Sequence, residues 1–439
     1  MASRKPYILI PYTLSRSNNT VKSQKTTVRL SELSMSVAPS LSFYPPKLNP
    51  LLTRLFQSLS YLIADNFYQI KLVIQSTDID QLKALEDKRV VYLANHPTFD
   101  DGIVLFLLSA RLGQLFHYIV AYESFQGWQG KILQLGGAYS IRRGLGDRAS
   151  ITQTLKLLKQ PACKLVIFPE GGCSYQNDTV MPFRTGAIQM PLQAISQLAK
   201  QGDAVPDLYL APVGIKYRYT ASMHSVIART LTRLEKALAI PKRTSDFYPR
   251  LRTVSEQVFR RFETEYNIDS TPQMQMDWNH RIEQLKTHIL TECEQKLGLT
   301  LAPHFPLRER VYKIQSVIGD PTEAAALDEE MIETLYRSTV RLLNFDSIYD
   351  GYVAEAPTSE RFLDTLMRLE KEVFELEKPV SKGPRKALIR IGEPVNLKDY
   401  VQAYKQDRGT TTEQLTQRLQ QAVQANLDLM NSVSKSLST

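Results

Sequence analysis

The stretch Asn95-His96-Pro97-Thr98-Phe99-Asp100-Asp101 joins an imidazole to two carboxylates just after the apolar run Arg89 to Ala94. An imidazole held at one ring nitrogen by a carboxylate has a fixed tautomer and a stabilised imidazolium, and its other nitrogen can take a proton from a hydroxyl. His96 and Asp101 stand five residues apart, which on one continuous helix is about 140° of rotation. They meet only if that spacing crosses a loop-to-helix junction. Pro97 favours such a junction, because proline pushes the residue before it towards an extended backbone. Asp100, at i,i+4, is the rival orienter. The same residues also fit a capping box, with Thr98 as N-cap, Asp101 three residues on and His96 incidental.

Three further blocks carry groups that can recognise substrate. In Gly136-Gly137-Ala138-Tyr139-Ser140-Ile141-Arg142-Arg143-Gly144 the arginines follow a predicted strand and are flanked by glycines. Glycine lets a phosphate approach closely, and guanidinium groups bind it bidentately. On a strand the two side chains point to opposite faces, so one reaches a pocket, and Arg142 is taken as that one. Phe168-Pro169-Glu170-Gly171-Gly172-Cys173-Ser174 ends a buried run with a carboxylate and two unhindered backbone positions, whose amides can form an anion nest. Cys173 reads as a small apolar filler in preference to a nucleophile, and Ser174 sits outside any Gly-x-Ser-x-Gly elbow. Arg184, in Phe183-Arg184-Thr185-Gly186, is either a second phosphate ligand or a plain structural residue. The last block is Ala211-Pro212-Val213-Gly214-Ile215.

In this order and at these intervals the four blocks resemble the glycerolipid acyltransferase superfamily that includes the lysophosphatidic acid acyltransferases. The resemblance covers about 90 to 216, with Ile391-Gly392-Glu393-Pro394-Val395 similar to the family's late strand. It implies an α/β fold, His96 as general base, Asp101 as its orienter, and Asn95, Arg142, Arg143, Glu170, Gly171 and Gly172 on the substrate side. It further implies transfer of a fatty acyl group from acyl-CoA or acyl-carrier protein to the hydroxyl of 1-acylglycerol 3-phosphate, with no cofactor beyond the co-substrate. Glycerol 3-phosphate is the alternative acceptor, and a catalytically silent membrane-binding or scaffold protein is the alternative of another class. One departure stands out: the family commonly reads Phe-Pro-Glu-Gly-Thr-Arg-Ser where this chain has Gly172-Cys173 before Ser174.

Composition fits that picture. A formal net charge of +9 suits an anionic partner: a phospholipid surface, a phosphorylated acceptor or an acidic acyl carrier. No zinc-finger, basic-zipper or aromatic RNA-binding signature accompanies the charge, so nucleic acid is not expected. Three irregularly spaced cysteines and six scattered histidines form neither a disulfide framework nor a metal site. They suggest a reducing compartment, and the expected location is cytoplasmic and peripheral to a membrane. Residues 1–44, rich in Ser, Thr and basic side chains, fit a membrane-attracted arm or an organelle transit peptide such as a plastid one.

The remaining elements must position these groups. From Pro45 to Ile74 apolar residues recur at helical spacing (Leu52, Leu55, Phe56, Leu59, Leu62, Ile63, Phe67 and Ile70), predicting an amphipathic helix. Packing on the core is weighed slightly ahead of docking on a bilayer, because few basic residues stand opposite the stripe. Strands are expected at Arg89–Ala94, Tyr118–Ala121, Gly137–Ile141, Lys164–Phe168 and Leu208–Val213, alternating with helices. The fold class is α/β, a mixed central sheet flanked by helices, with a large α-helical insertion before the last strand. The domain reading is a tail (1–44), an acyltransferase core with its N-terminal helix (45–216), a helical insertion (217–385), and a return strand with a terminal helix (386–439). Between a lid or docking platform and a peripheral decoration, the sequence leaves the insertion open.

Overall fold

The computed structural model describes residues 43–144, 146–200, 205–269, 277–300, 305–320, 322–376, 378 and 380–435. The basic segment at the start of the chain therefore lies, as far as residue 42, outside the described residues. The core opens with α1 (Pro50–Ile63), β1 (Ile70–Ile74), α2 (Ser76–Lys83), β2 (Arg89–Ala94), α3 (Asp101–Leu112) and β3 (His117–Ala121). It continues through α4 (Gly127–Leu135), β4 (Ala138–Ile141), α5 (Arg148–Lys159), β5 (Lys164–Ile167), α6 (Gly186–Leu198) and β6 (Leu208–Tyr219). Among the described residues six helices follow: α7 (His224–Ala237), α8 (Phe247–Glu265), α9 (Trp278–Lys296), α10 (Leu307–Ile318), α11 (Glu329–Phe345) and α12 (Ser359–Val373). The chain then returns to the core as β7 (Arg385–Ile391), β8 (Val395–Asn396), α13 (Val401–Gln406) and α14 (Arg408–Lys435).

The eight strands form one sheet in the order β1-β7-β6-β2-β5-β3-β4, with β8 on β6. From β6 to β4 all neighbours are parallel; β7 runs antiparallel to β6 and carries β1 parallel beside it, which makes the sheet mixed. Val90 to Ala94 and all of β5 are buried, as parallel strands covered on both faces require. One face is covered by Leu157, Leu158, Ile188, Leu192, Leu415 and Leu419, and the other by Leu82, Val104, Leu105 and Leu108. Gly214 lets α14 close on β6, because a Cβ there would lie 2.8 Å from the Cβ of Asn426. Beyond the end of β2 two asparagines imitate a strand neighbour. Asn95 accepts from the amide and donates to the carbonyl of Ile215, at 2.7 and 2.9 Å, and Asn177 does the same for Tyr217, at 2.7 Å each.

The N-terminal region departs from expectation in two ways. The helical stripe does not run on to Ile74: Gln69 adopts a left-handed conformation (φ 53°) and the chain becomes β1, paired with β7. Helical spacing at Phe67 and Ile70 concealed that break. More consequentially, α1 packs through its polar face. Thr53, Gln57 and Ser60 are buried, with Gln57 donating to Ser109 Oγ at 3.0 Å and to Gln114 O at 2.8 Å. Leu51 and Leu62 are 85% and 64% exposed, and Leu55, Leu59 and Phe67 are exposed with them. Among the described residues no helix is long and apolar enough to cross a membrane.

The helical insertion leaves and re-enters the core at one place, since Tyr219 and Arg385 are register partners of β6 and β7. Its buried side chains form a cluster of their own from Met223 to Leu369, including Ile282, Leu285, Ile289, Phe362 and Leu366. Leu165, fully buried at the sheet centre, and Leu62, exposed on α1, therefore give opposite expectations. Leu165→Ala is expected to lose about 2–5 kcal/mol in urea denaturation and Leu62→Gln no more than about 0.5 kcal/mol. A comparable loss at Leu62 would mean that α1 packs the other way round.

Candidate active site

The carboxyl ends of β2 and β5 lie side by side in the sheet, and the site is built where the chain leaves them. His96 follows β2 in the loop, and Asp101 is the first residue of α3, so the five-residue spacing does cross a loop-to-helix junction. His96 Nδ1 lies 2.7 Å from Asp101 Oδ2. Asp101 is fully buried and accepts three more hydrogen bonds: from the Thr98 amide at 2.9 Å, the Thr98 hydroxyl at 3.2 Å and the Tyr217 hydroxyl at 2.7 Å. Capping and catalytic geometry are thus one arrangement, in which Asp101 holds both Thr98 and the imidazole. Asp100 is engaged elsewhere, by Arg385 at 2.5 Å.

The loop after β5 closes on His96 from the other side. Glu170 Oε1 accepts from the His96 amide at 3.0 Å, and the Ser174 amide donates to the His96 carbonyl at 2.8 Å. Phe168 stacks on the imidazole at 4.3 Å between centroids, and Cys173 Sγ lies 3.4 Å from Nε2. Burial works against the imidazolium. The neighbouring Cys173 sulfur and the Asp101 carboxylate, each by electrostatics and a hydrogen bond, outweigh that and raise the His96 pKa well above 6.5. Burial also pushes the Glu170 carboxyl up to about 7, against the pull of Arg308 and the His96 amide. Its Oε2 is buried without a hydrogen-bond partner.

A basic group adjoins this loop, and part of it comes from the insertion. Arg143, rather than Arg142, turns towards Gly172: it donates to the Tyr312 hydroxyl at 3.1 Å, and its guanidinium lies 4.5 Å from that ring's centre. Arg184 lies against Gly171 and 5.5 Å from the same ring. Arg308 donates to the Cys173 carbonyl at 3.1 Å and pairs with Asp346 at 2.5 Å. Tyr312 donates to the Gly171 carbonyl at 2.8 Å. Gly171 needs its positive φ of 74°, and a Cβ on Gly172 would lie 2.6 Å from the Tyr312 hydroxyl and 2.9 Å from Arg308 Nη1. The hydroxyl and guanidinium that a Thr-Arg pair would bring at 172 and 173 are thus present, carried by α10.

His96, Asp101, Arg143, Glu170, Gly171 and Gly172 come together as the sequence suggested, and two expected residues do not join them. Asn95 spends both polar side-chain atoms on the backbone of Ile215, so it clamps two strands instead of facing substrate. Arg142 lines a separate hollow with Asp147 and Arg148. The Gly171 amide donates to the Phe168 carbonyl at 3.1 Å, which removes it from the expected anion nest. Sequence reasoning missed Tyr217, Arg308 and Tyr312, which stand 116 to 141 residues from the groups they touch or carry no motif at all. No group of His, Cys, Asp and Glu suited to a metal ion occurs among the described residues.

Residues 73–216 match a protein-family model described as Acyltransferase. The match begins in β1 and ends in β6 before the insertion; it contains His96, Asp101, Arg143, Glu170 and Arg184, and stops one residue short of Tyr217. No curated protein matches the chain. The electrostatics give an expectation of their own: titration of the His96 ring by NMR should show a pKa above 6.5 that falls in Cys173→Ala and in Asp101→Asn. Asp100→Asn should leave it near the wild-type value, because Asp100 faces Arg385. An unchanged pKa in both of the first two variants would overturn this assignment of the imidazole's partners.

Proposed function

We propose, from the match of residues 73–216 to the Acyltransferase family model, that the chain moves a fatty acyl group from an acyl thioester to the hydroxyl of a glycerol-phosphate lipid. The acceptor that fits best is 1-acylglycerol 3-phosphate, with glycerol 3-phosphate as the alternative, and the donor is acyl-CoA or acyl-carrier protein. The observation that carries this reading is the His96–Asp101 pair at 2.7 Å beside a basic cluster. In this scheme the acceptor hydroxyl takes the place of the Cys173 thiol at Nε2. Neutral His96 removes the hydroxyl proton as the oxygen attacks the thioester carbonyl, and the imidazolium returns a proton to the departing thiolate. Asp101 fixes the tautomer with Nδ1–H towards itself and stabilises the charge that forms. No cofactor enters this chemistry.

A lipid acceptor is delivered from a membrane surface, and α1 supports such a location. Its exposed leucines, with Trp128 and Ile132 exposed on α4, are apolar side chains of the kind that a bilayer interface covers. Lys47, Arg54 and Lys131 are exposed on the same two elements or beside them, and they suit an anionic bilayer. The protein is accordingly proposed to work as a peripheral membrane enzyme.

One observation favours a second scheme. Cys173 Sγ, His96 and Asp101 are aligned as a thiol, base and orienter, so the acyl group could pass first to Cys173 and then to the acceptor. Both schemes are tested together by incubating purified protein with a labelled acyl thioester and a panel of acceptors. Label is expected in the phosphate-bearing acceptors with wild type and not with folded His96→Ala, and Cys173→Ala should retain transfer. Failure of Cys173→Ala, together with a hydroxylamine-sensitive acyl adduct on the wild-type protein, would establish the covalent route. Transfer by His96→Ala at the wild-type rate would overturn both.

A further inference from the structure

The contacts of α10 point to a substrate role for the helical insertion. Three guanidinium groups surround Gly171–Cys173, two from the core (Arg143, Arg184) and one from α10 (Arg308), with Tyr312 between the first two. Arg308 is held tightly by Asp346, but the counter-ions of the two core arginines are loose: Glu123 and Glu309 stand 3.5 and 3.4 Å from Arg143 and Arg184 and are 62% and 38% exposed. Such pairs are worth little and exchange readily for a stronger anion.

The resting site also leaves two buried groups unsatisfied next to the Gly171–Gly172 turn. Arg143 Nε is a buried donor without an acceptor, and Glu170 Oε2 is a buried oxygen without a partner. Buried polar atoms of this kind are costly when unpaired. An anionic oxygen would satisfy Arg143 Nε, and the Glu170 carboxyl, raised to about 7, can in its protonated form donate through Oε2 to a ligand oxygen. The position fits as well, since Arg308 holds the carbonyl of Cys173, the residue whose sulfur touches His96 Nε2.

We propose that the insertion completes the acceptor's phosphate site: Arg143 and Arg184 of the core bind a phosphomonoester whose hydroxyl arm reaches His96, and Tyr312 and Arg308 of α10 hold those guanidiniums and the Gly171–Cys173 loop in place for it. This rests on the transfer reaction proposed above and names the part of the chain that recognises the acceptor. Arg143 and Arg184 face the phosphate. Tyr312 and Arg308 are positioning residues, the first plating the two guanidiniums and the second holding the loop that separates them from His96. A phosphate on a nucleotide-bearing donor is the other source of the same chemistry, and the experiment must distinguish it.

The test uses the full chain and the variants Arg184→Gln and Tyr312→Phe, each checked for an unchanged melting temperature. Binding of inorganic phosphate is measured by calorimetry. KM is measured for 1-acylglycerol 3-phosphate, for monoacylglycerol lacking the phosphate, and for the acyl donor. Arg184→Gln should weaken inorganic phosphate and raise the phosphorylated acceptor's KM at least about tenfold, and Tyr312→Phe about threefold, with donor KM and monoacylglycerol KM within about twofold. Unchanged phosphate binding in both variants, or a rise confined to acyl-CoA, would overturn the assignment. If the wild type acylates no phosphate-bearing acceptor, the transfer proposal fails by itself. Loss of inorganic phosphate binding in the variants would then still support the anion site.

Discussion

A carboxylate with no solvent contact must find its hydrogen bonds inside the protein, and the site depends on how Asp101 does so. Four donors meet it: the imidazole, the Thr98 amide, the Thr98 hydroxyl and the Tyr217 hydroxyl. Those donors come from the loop after β2 and from β6, so satisfying one charge fixes the turn, the start of α3 and the ring orientation together. Removing one partner leaves a buried charge short of compensation, a change that costs about 3–5 kcal/mol where a buried ion pair is broken. The geometry is therefore specified by desolvation as much as by any attractive contact.

The loop after β5 is held between this centre and the insertion. On the core side it binds the amide and the carbonyl of His96. On the insertion side the Ser174 carbonyl accepts from Ser347 and Arg368, the Asn177 amide donates to Asp364 and Tyr352, and Arg361 pairs with Asp178 at 2.7 Å. Arg368 is deeply buried and Asp364 half-buried, and burial draws the first down to about 10 and the second up to about 6. The insertion has its own apolar core, yet its polar groups are directed at the loop that carries Glu170 and Cys173.

How much of this was legible in the sequence follows from the range of each interaction. β2, β5 and the start of β6 are strands buried on both faces, and continuous apolar runs announced them. Pro97 marks the junction that the spacing of His96 and Asp101 requires, but the choice of Asp101 over Asp100 and over a plain capping box came from the family resemblance, not from the stretch itself. Strand alternation put Arg142 and Arg143 on opposite faces without telling which face holds the site. The stripe on α1 was visible, but periodicity does not say which side meets the protein, and three small polar residues turned out to be the packed side. β1 was hidden because Ile70 continues the helical spacing. Arg308 and Tyr312 carry no motif, and their meeting with Gly171–Cys173 spans more than 130 residues of chain.

The central claim is that His96, with its ring held by Asp101, acts as the base. The most direct measurement is the pH dependence of kcat/KM for acyl transfer. A base must be neutral to work, and the surroundings of His96 raise its pKa, so activity should be present at high pH and lost as pH falls through an ionisation above 6.5. That acidic limb should be missing from whatever residual rate His96→Ala retains. The same limb persisting in His96→Ala, or a rate independent of pH in the wild type, would contradict the account.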